Sequence, residues 1–280
     1  MNLTAYLTLS RPVNLLLGGL SVWICAAFFP QMPPLEIIVS AILTVLLLNA
    51  GANAINDWMD IEIDRVNKPG RPLPSGKISR NAALIFSLAA FFLGNLIAAI
   101  QLPFQAFIIS FIVATPLMIC YSISLKRSPL WGNLLVSFVL GLAFLFSATA
   151  FGNFRIGIVP FVLAFFYTLI RELVKDAEDL AGDDVVNART FPLIAGIPAS
   201  IRLLNALLIF LILLIPLPSM LGFYGPYYLW SVIPTVQIPL LALLIYLYRH
   251  QDKSRFGAVS LFLKIDMFWG LLAIYLGKFK

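Results

Sequence analysis

Residues 35–64 read LEIIVSAILTVLLLNAGANAINDWMDIEID. The stretch 35–56 carries one charge, Glu36, and the residues that follow bring Asp57, Asp60, Glu62 and Asp64 in quick succession. A helix needs about 20 mostly apolar residues to cross a bilayer, and 35–56 supplies them. The acids arrive where such a helix would leave the hydrocarbon. Carboxylates at that boundary are unfavourable unless solvated or paired, so they mark a functional site by default.

The same apolar pattern recurs along the chain. Spans are expected at 13–30, 35–56, 82–100, 104–123, 130–151, 156–173, 201–218, 227–248 and 256–277. Gly18 and Gly19 interrupt the first, Pro234 and Pro239 fall in the eighth, and the last holds Lys264 and Asp266. The strand alternation of a membrane barrel is absent. The expected fold is all-α: a polytopic membrane protein, a bundle of nine transmembrane helices in a single domain over 1–280, with motif-bearing halves near 1–127 and 128–280. The first span is too long and too weakly basic on its N-terminal side for a cleaved signal peptide, so it is expected to stay.

Composition agrees. Of 280 residues only 11% are charged and 61% are hydrophobic, with a mean hydropathy of +0.95. Roughly a quarter of an average soluble domain is charged, so an ordinary soluble enzyme and a disordered chain are excluded. The sequence pI of 9.4 does not require a nucleic-acid partner. With nine spans, 15 of the 19 basic residues fall on one side, from Arg11 through Arg65, Lys68, Arg71, Lys126, Arg127, Arg171 and Lys175 to Arg255. The positive-inside rule makes that side cytoplasmic. A cell membrane location follows, with the N-terminus and the acidic loops in the cytoplasm and the C-terminus outside.

Ten of the 13 acids sit in two short segments, 57–64 and 172–184. Asp57, Asp60 and Asp64 stand at i, i+3, i+7, and Asp176, Asp179 and Asp183 repeat the spacing 119 residues later. At about 100° per residue, each trio falls on one face of a helix. Glu62 and Glu178 point elsewhere. Asn53 and Asn56 extend the first set by a turn, and Glu172 extends the second. Downstream, Arg71-Pro-Leu-Pro74 with Gly76 answers Arg189-Thr-Phe-Pro192 with Gly196. One motif is used twice.

Six carboxylates on facing helices repel unless cations lie between them. Oxygen ligands without His or Cys select Mg²⁺ or Ca²⁺. Magnesium takes one or two protein carboxylates and completes its shell with water and phosphate. Two such ions would clamp a diphosphate, with nearby basic residues neutralising it and an apolar bundle behind it for a lipid tail.

These residues resemble a family. Asn56-Asp57-x-x-Asp60-x-x-x-Asp64 followed by Arg71-Pro-Leu-Pro-Ser-Gly76 resembles the first signature of the UbiA superfamily of intramembrane prenyltransferases. Lys175-Asp176-x-x-Asp179-x-x-Gly182-Asp183 followed by Arg189-Thr190-x-Pro192 resembles the second. Tyr121-Ser-x-x-Leu-Lys126-Arg127 resembles the tyrosine–lysine motif between them, and Ser10-Arg11-Pro12 resembles the family start. The resemblance implies Mg²⁺-dependent transfer of a prenyl group from an isoprenyl diphosphate donor, with two magnesium ions bridging the aspartates to the diphosphate. It implies metal ligation by Asn56, Asp57, Asp60, Asp64, Asp176, Asp179 and Asp183. It implies diphosphate binding by Arg11, Asn53, Lys68, Arg71, Tyr121, Lys126, Arg127 and Lys175, and catalysis by Asp60, Asp64, Asp179, Asp183 and Lys126. The first motif and Arg171-Glu172-x-x-Lys175-Asp176 resemble the branch whose acceptor is geranylgeranylglyceryl phosphate. Aromatic acceptors of quinone synthesis, of the 4-hydroxybenzoate, dihydroxynaphthoate or homogentisate type, share the outer pattern.

A cation-coupled transporter is the competing reading. Transporter repeats place ionisable residues near the midplane, whereas these acids gather at one face. Cys25 and Cys120 read as buried apolar fillers, and His250 reads as a surface residue. Lys264 and Asp266 could pair within the bundle or reach a boundary.

Overall fold

The computed structural model describes residues 3–185, 188–249 and 255–279, and among them every regular element is helical. His250 and Lys253 lie outside the described residues. In chain order the helices are α1 (Leu3–Ser10), α2 (Pro12–Ala27), α3 (Leu35–Met59), α4 (Ile61–Asn67) and α5 (Arg80–Gln101). Next come α6 (Phe104–Ile108), α7 (Thr115–Ile123), α8 (Trp131–Ala150), α9 (Ile158–Glu178) and α10 (Leu180–Val185). The chain closes with α11 (Phe191–Leu214), α12 (Leu217–Met220), α13 (Pro226–Val232), α14 (Ile238–Arg249) and α15 (Phe256–Leu276). Wide π turns at Ile109–Ala114 and Ile233–Gln237 join α6 to α7 and α13 to α14 into single rods. A proline adjoins or lies in each, Pro116 and Pro234, and a residue without an N–H is accommodated by such a turn.

Eight of these rods are long and apolar enough to cross a membrane. The ninth expected span is a bent pair, α1 and α2, meeting at 56°. Helix α2 alone has 16 residues, about 24 Å at 1.5 Å per residue, short of a full crossing. The glycines at 18 and 19 do not interrupt it. The bend falls earlier, at Arg11, which takes φ 55 and ψ 74. The residue before a proline is disfavoured in the right-handed helical region, so Pro12 breaks the helix at this point, and tertiary contacts decide which corner the chain takes. The seventh span starts ten residues before its expected position, at Phe191, and bends at Gly196.

Large apolar side chains on the outside, such as Ile85, Phe92, Leu213 and Trp230, are left exposed by the bundle. Water would not tolerate that belt, but lipid does. The chain is a multi-pass membrane protein. Cys25 is buried as expected, but Cys120 is exposed on α7. It belongs to the outer face, where a small apolar residue contacts lipid as readily as protein.

Helix α3 lies along α5 and α2, while α9 lies along α8, α11 and α15. Helix α2 also touches α8 and α15, which closes the ring. Hydroxyls tie neighbours together where water is absent: Ser87 Oγ donates to the Gly51 carbonyl (2.8 Å) and Thr44 Oγ1 to that of Gly94 (3.3 Å). The turn that leads into α9 packs closely on α8 at Gly157, where an added Cβ would lie 2.6 Å from the Phe144 carbonyl oxygen and 2.9 Å from Ala148 Cβ. Gly157→Val should lower the thermal midpoint in detergent, by a destabilisation of about 1–3 kcal/mol as overpacked cores show. An unchanged midpoint would mean this packing gives way freely.

Candidate active site

The two aspartate trios meet because α4 and α10 pack against each other. Neither trio lies on one continuous helix, as the spacing had suggested. Helix α3 stops at Met59 and α4 starts at Ile61, with Asp60 between them at φ −96, ψ 12. Helix α9 stops at Glu178 and α10 starts at Leu180, with Asp179 between them at φ −86, ψ 7. Each chain bends at the middle aspartate while its amides stay bonded, Asp60 N–H to the Asn56 carbonyl (3.0 Å) and Asp179 N–H to that of Lys175 (2.9 Å). The repeat continues downstream: Gly76 and Gly196 take φ 73 and φ 78, a left-handed conformation natural to glycine. Glu62 and Glu178 stand apart. Glu62 pairs with Arg65 on the surface, and Glu178 lies near Gly257.

Basic side chains fill the space between the carboxylates. Arg11 donates to Asp57 Oδ1 through a short contact. Arg71 reaches both Asp64 Oδ2 (2.5 Å) and Asp57 Oδ1 (3.2 Å). Lys126, from the tight turn Leu125–Arg127, contacts Asp60 Oδ2. Lys68 crosses from the first motif to Asp179 of the second at 3.4 Å, and Asn67 leans on the Asp179 carbonyl (3.5 Å). Lys126 also acts electrostatically on Asp183, so it serves both motifs.

Burial still dominates at several groups. It raises the Asp64 carboxyl above the ordinary carboxylate range against the opposing pull of Arg71. It raises Asp183 likewise, opposed by Lys126. Burial lowers the Lys68 ammonium, with Asp179 opposing. A further cation beside either carboxylate would bring it down.

Other expected residues are placed differently. Asn53 Nδ2 donates to the Ser10 carbonyl (2.9 Å), which makes it a strut for the Arg11 corner. Lys175 turns to Glu172 at 3.7 Å. Tyr121 lies within electrostatic reach of Asp60, Glu172 and Asp176. Helix α7 leads to Arg127, but the Arg127 side chain lies outside what the structure describes. Asn133 was not anticipated: its Nδ2 donates to Asp176 Oδ2 at 2.8 Å and orients that carboxylate. The only local signal is one amide near the start of an apolar run.

No three carboxylates among the described residues converge into a ready-made metal cage. Their chemistry nonetheless suits magnesium, which needs few protein oxygens when phosphate supplies the rest. Asn56 Oδ1 is buried with no hydrogen-bond donor, an oxygen whose lone pairs are open to a hard cation.

Beneath the aspartates runs an apolar cavity of about 170 Å³, walled by residues such as Leu17, Val45, Leu48, Phe144 and Leu163. Asn14 and Arg171 line its end near the aspartates, and Ile215 and Tyr228 its far end.

The chain matches the model of the UbiA prenyltransferase family over residues 16–272. It is 34% identical to the digeranylgeranylglyceryl phosphate synthase of Methanopyrus kandleri over 269 residues, covering 96% of this chain and 97% of that one. It is 36% identical to the enzyme of the same name from Saccharolobus solfataricus, over 99% and 98% of the two chains. A solved structure concerned with digeranylgeranylglyceryl phosphate synthase superposes with a TM-score of 0.78 at 31% identity, covering 99% and 98%. A UbiA homolog from Archaeoglobus fulgidus bound to DMAPP and Mg²⁺ shares the fold, with a TM-score of 0.71 at 20% identity over 96% and 98%.

Proposed function

The chain belongs to the UbiA prenyltransferase family, and from that premise we propose that it transfers a geranylgeranyl group from geranylgeranyl diphosphate to geranylgeranylglyceryl phosphate, releasing diphosphate. One observation carries the chemistry: two aspartate motifs face each other across basic side chains, directly above an apolar cavity. The acceptor is supported by near full-length likeness to enzymes named for that product.

Asn56, Asp57, Asp60 and Asp64 on one side, with Asp176, Asp179 and Asp183 on the other, would hold two magnesium ions. Bound there, the ions supply Lewis-acid stabilisation of the departing diphosphate. With the aspartates so occupied, Lys126, Lys68, Arg71 and Arg11, each on a carboxylate in this structure, would exchange partners and be free to meet phosphate oxygens. Lys175 and Tyr121 border the same space. When the allylic carbon–oxygen bond breaks, its electron pair leaves with the diphosphate, whose charge these cations take up. The cavity walls exclude water from the allylic cation. The acceptor's remaining hydroxyl oxygen supplies the pair for the new ether bond and gives up its proton to the departing diphosphate.

The motif-bearing halves, 1–127 and 128–280, each bring one aspartate set to the site. The charge bias of the loops supports a cytoplasmic active site and N-terminus in the cell membrane.

The test is turnover by purified protein with geranylgeranyl diphosphate and three acceptors: geranylgeranylglyceryl phosphate, 4-hydroxybenzoate and a dihydroxynaphthoate. Ether product with the first, lost on chelation and restored by Mg²⁺, is expected. Product only with an aromatic acceptor would overturn the acceptor assignment.

A further inference from the structure

The mechanism above leaves two cations in the cavity unused. Lys264 stands in the middle of α15, yet it lines the cavity instead of reaching a boundary. Among the described residues it has no hydrogen-bond or ion-pair partner, and the charges that act on it there are those of Arg171 and Arg11, both positive. Asp266 does not neutralise it. Residues two apart on a helix do not face each other, and Asp266 Oδ2 is taken by the Tyr167 hydroxyl at 2.8 Å. Arg171, on α9, also lines the cavity. One of its nitrogens bonds Glu172 (2.6 Å), but its Nε is buried without an acceptor. Two basic groups lining one largely apolar chamber, one unpaired and one with a guanidinium N–H left without an acceptor, favour an anion between them.

Arg171 precedes Asp176 by five residues, about 7.5 Å along the helix. Arg171 therefore sits roughly a turn and a half inside the aspartate layer, and Lys264 comes within electrostatic reach of it from α15. We propose that Arg171 and Lys264 form a second anion site that holds the phosphate monoester of the lipid acceptor. This rests on the acceptor reading given above. A phosphate monoester carries close to two negative charges, matches two cations, and suits the fork of a guanidinium. Glycerol has three oxygens; with one phosphorylated and one already etherified, a single hydroxyl remains. Anchoring the phosphate below the aspartates leaves that hydroxyl between the two sites, where the allylic carbon is released.

The experiment uses full-length protein in nanodiscs, geranylgeranyl diphosphate, and either geranylgeranylglyceryl phosphate or geranylgeranylglycerol as acceptor. Lys264→Gln is expected to raise KM for the phosphorylated acceptor by about 10- to 100-fold, as loss of one charge-assisted hydrogen bond implies. The wild-type preference for the phosphorylated acceptor should fall by the same factor, KM for the donor should move by less than about twofold, and Lys264→Arg should recover most of the loss. An equal fall with both acceptors, or a rise confined to the donor KM, overturns the site. If the wild type turns over no glyceryl phosphate at all, the transfer reading fails, and binding decides the site alone. Oleoylglyceryl phosphate should then bind the wild type at least about tenfold more tightly than oleoylglycerol, and Lys264→Gln should erase the difference. No preference in the wild type, or one that survives the substitution, overturns it.

Discussion

Asp60→Asn should lower the rate of diphosphate release by about 10³-fold or more at saturating Mg²⁺. Removing a single preorganised donor from an anion-stabilising site typically lowers kcat by about 10²- to 10³-fold, and a ligand to a catalytic ion acts through the ion's full charge. Asp60 is suited to that role by position. It stands at the joint between α3 and α4, 2% exposed, with its carboxylate on Lys126. Asparagine keeps the shape and one oxygen acceptor for Lys126, whose charge still reaches Asp183, so the fold should persist. What disappears is the negative charge that holds a divalent ion. Added Mg²⁺ should therefore not restore the rate. Asp179→Asn should behave alike, because Asp179 occupies the equivalent joint and faces Lys68. Near wild-type release by both variants would remove the aspartates from the mechanism.

The spacing of these acids was legible in sequence because i, i+3, i+7 survives almost any local geometry that keeps helical hydrogen bonds. For the same reason the breaks at Asp60 and Asp179 were not. A change in ψ at one residue leaves the Asp64 N–H bonded to the Asp60 carbonyl (2.8 Å), so periodicity continues through a bend it cannot report. The spans were legible because lipid imposes length and hydrophobicity on each segment separately. Arg11 was expected from its place before the first span, but the left-handed corner that aims it at Asp57 follows from tertiary contacts, including the Asn53 strut. Partnerships across many residues, such as Asn133 with Asp176, leave no local pattern. Lys264 showed as an anomaly in an apolar run. Its meaning depends on which wall of the bundle it faces, and only the assembled cavity fixes that.

Lys126→Gln should separate two effects that a simple loss of function would merge. The catalytic rate should fall by about 10²- to 10³-fold, the scale for losing one charged group from a site where anionic charge develops. Lys126→Arg should recover only part of it, because a guanidinium is planar and longer than an ammonium. The backbone here has little room to adapt: an added Cβ at Gly132 would lie 2.6 Å from the Leu125 carbonyl oxygen, so the turn carrying Lys126 is pressed against the start of α8. Magnesium affinity should move the other way. In the structure the ammonium occupies Asp60 and its charge reaches Asp183, so without diphosphate it competes with any ion for those carboxylates. Removing it should tighten Mg²⁺ binding by about tenfold, the equivalent of one pKa unit or about 1.4 kcal/mol, measurable by isothermal titration on the substrate-free protein. Stability should follow the same logic. Without magnesium the variant leaves Asp60 buried and uncompensated, and its thermal midpoint should drop; with magnesium the drop should largely disappear. Weaker Mg²⁺ binding in Lys126→Gln would mean that the lysine supports the ion site instead of competing for it. The exchange of partners proposed for catalysis would then be wrong, even if the rate fell as expected.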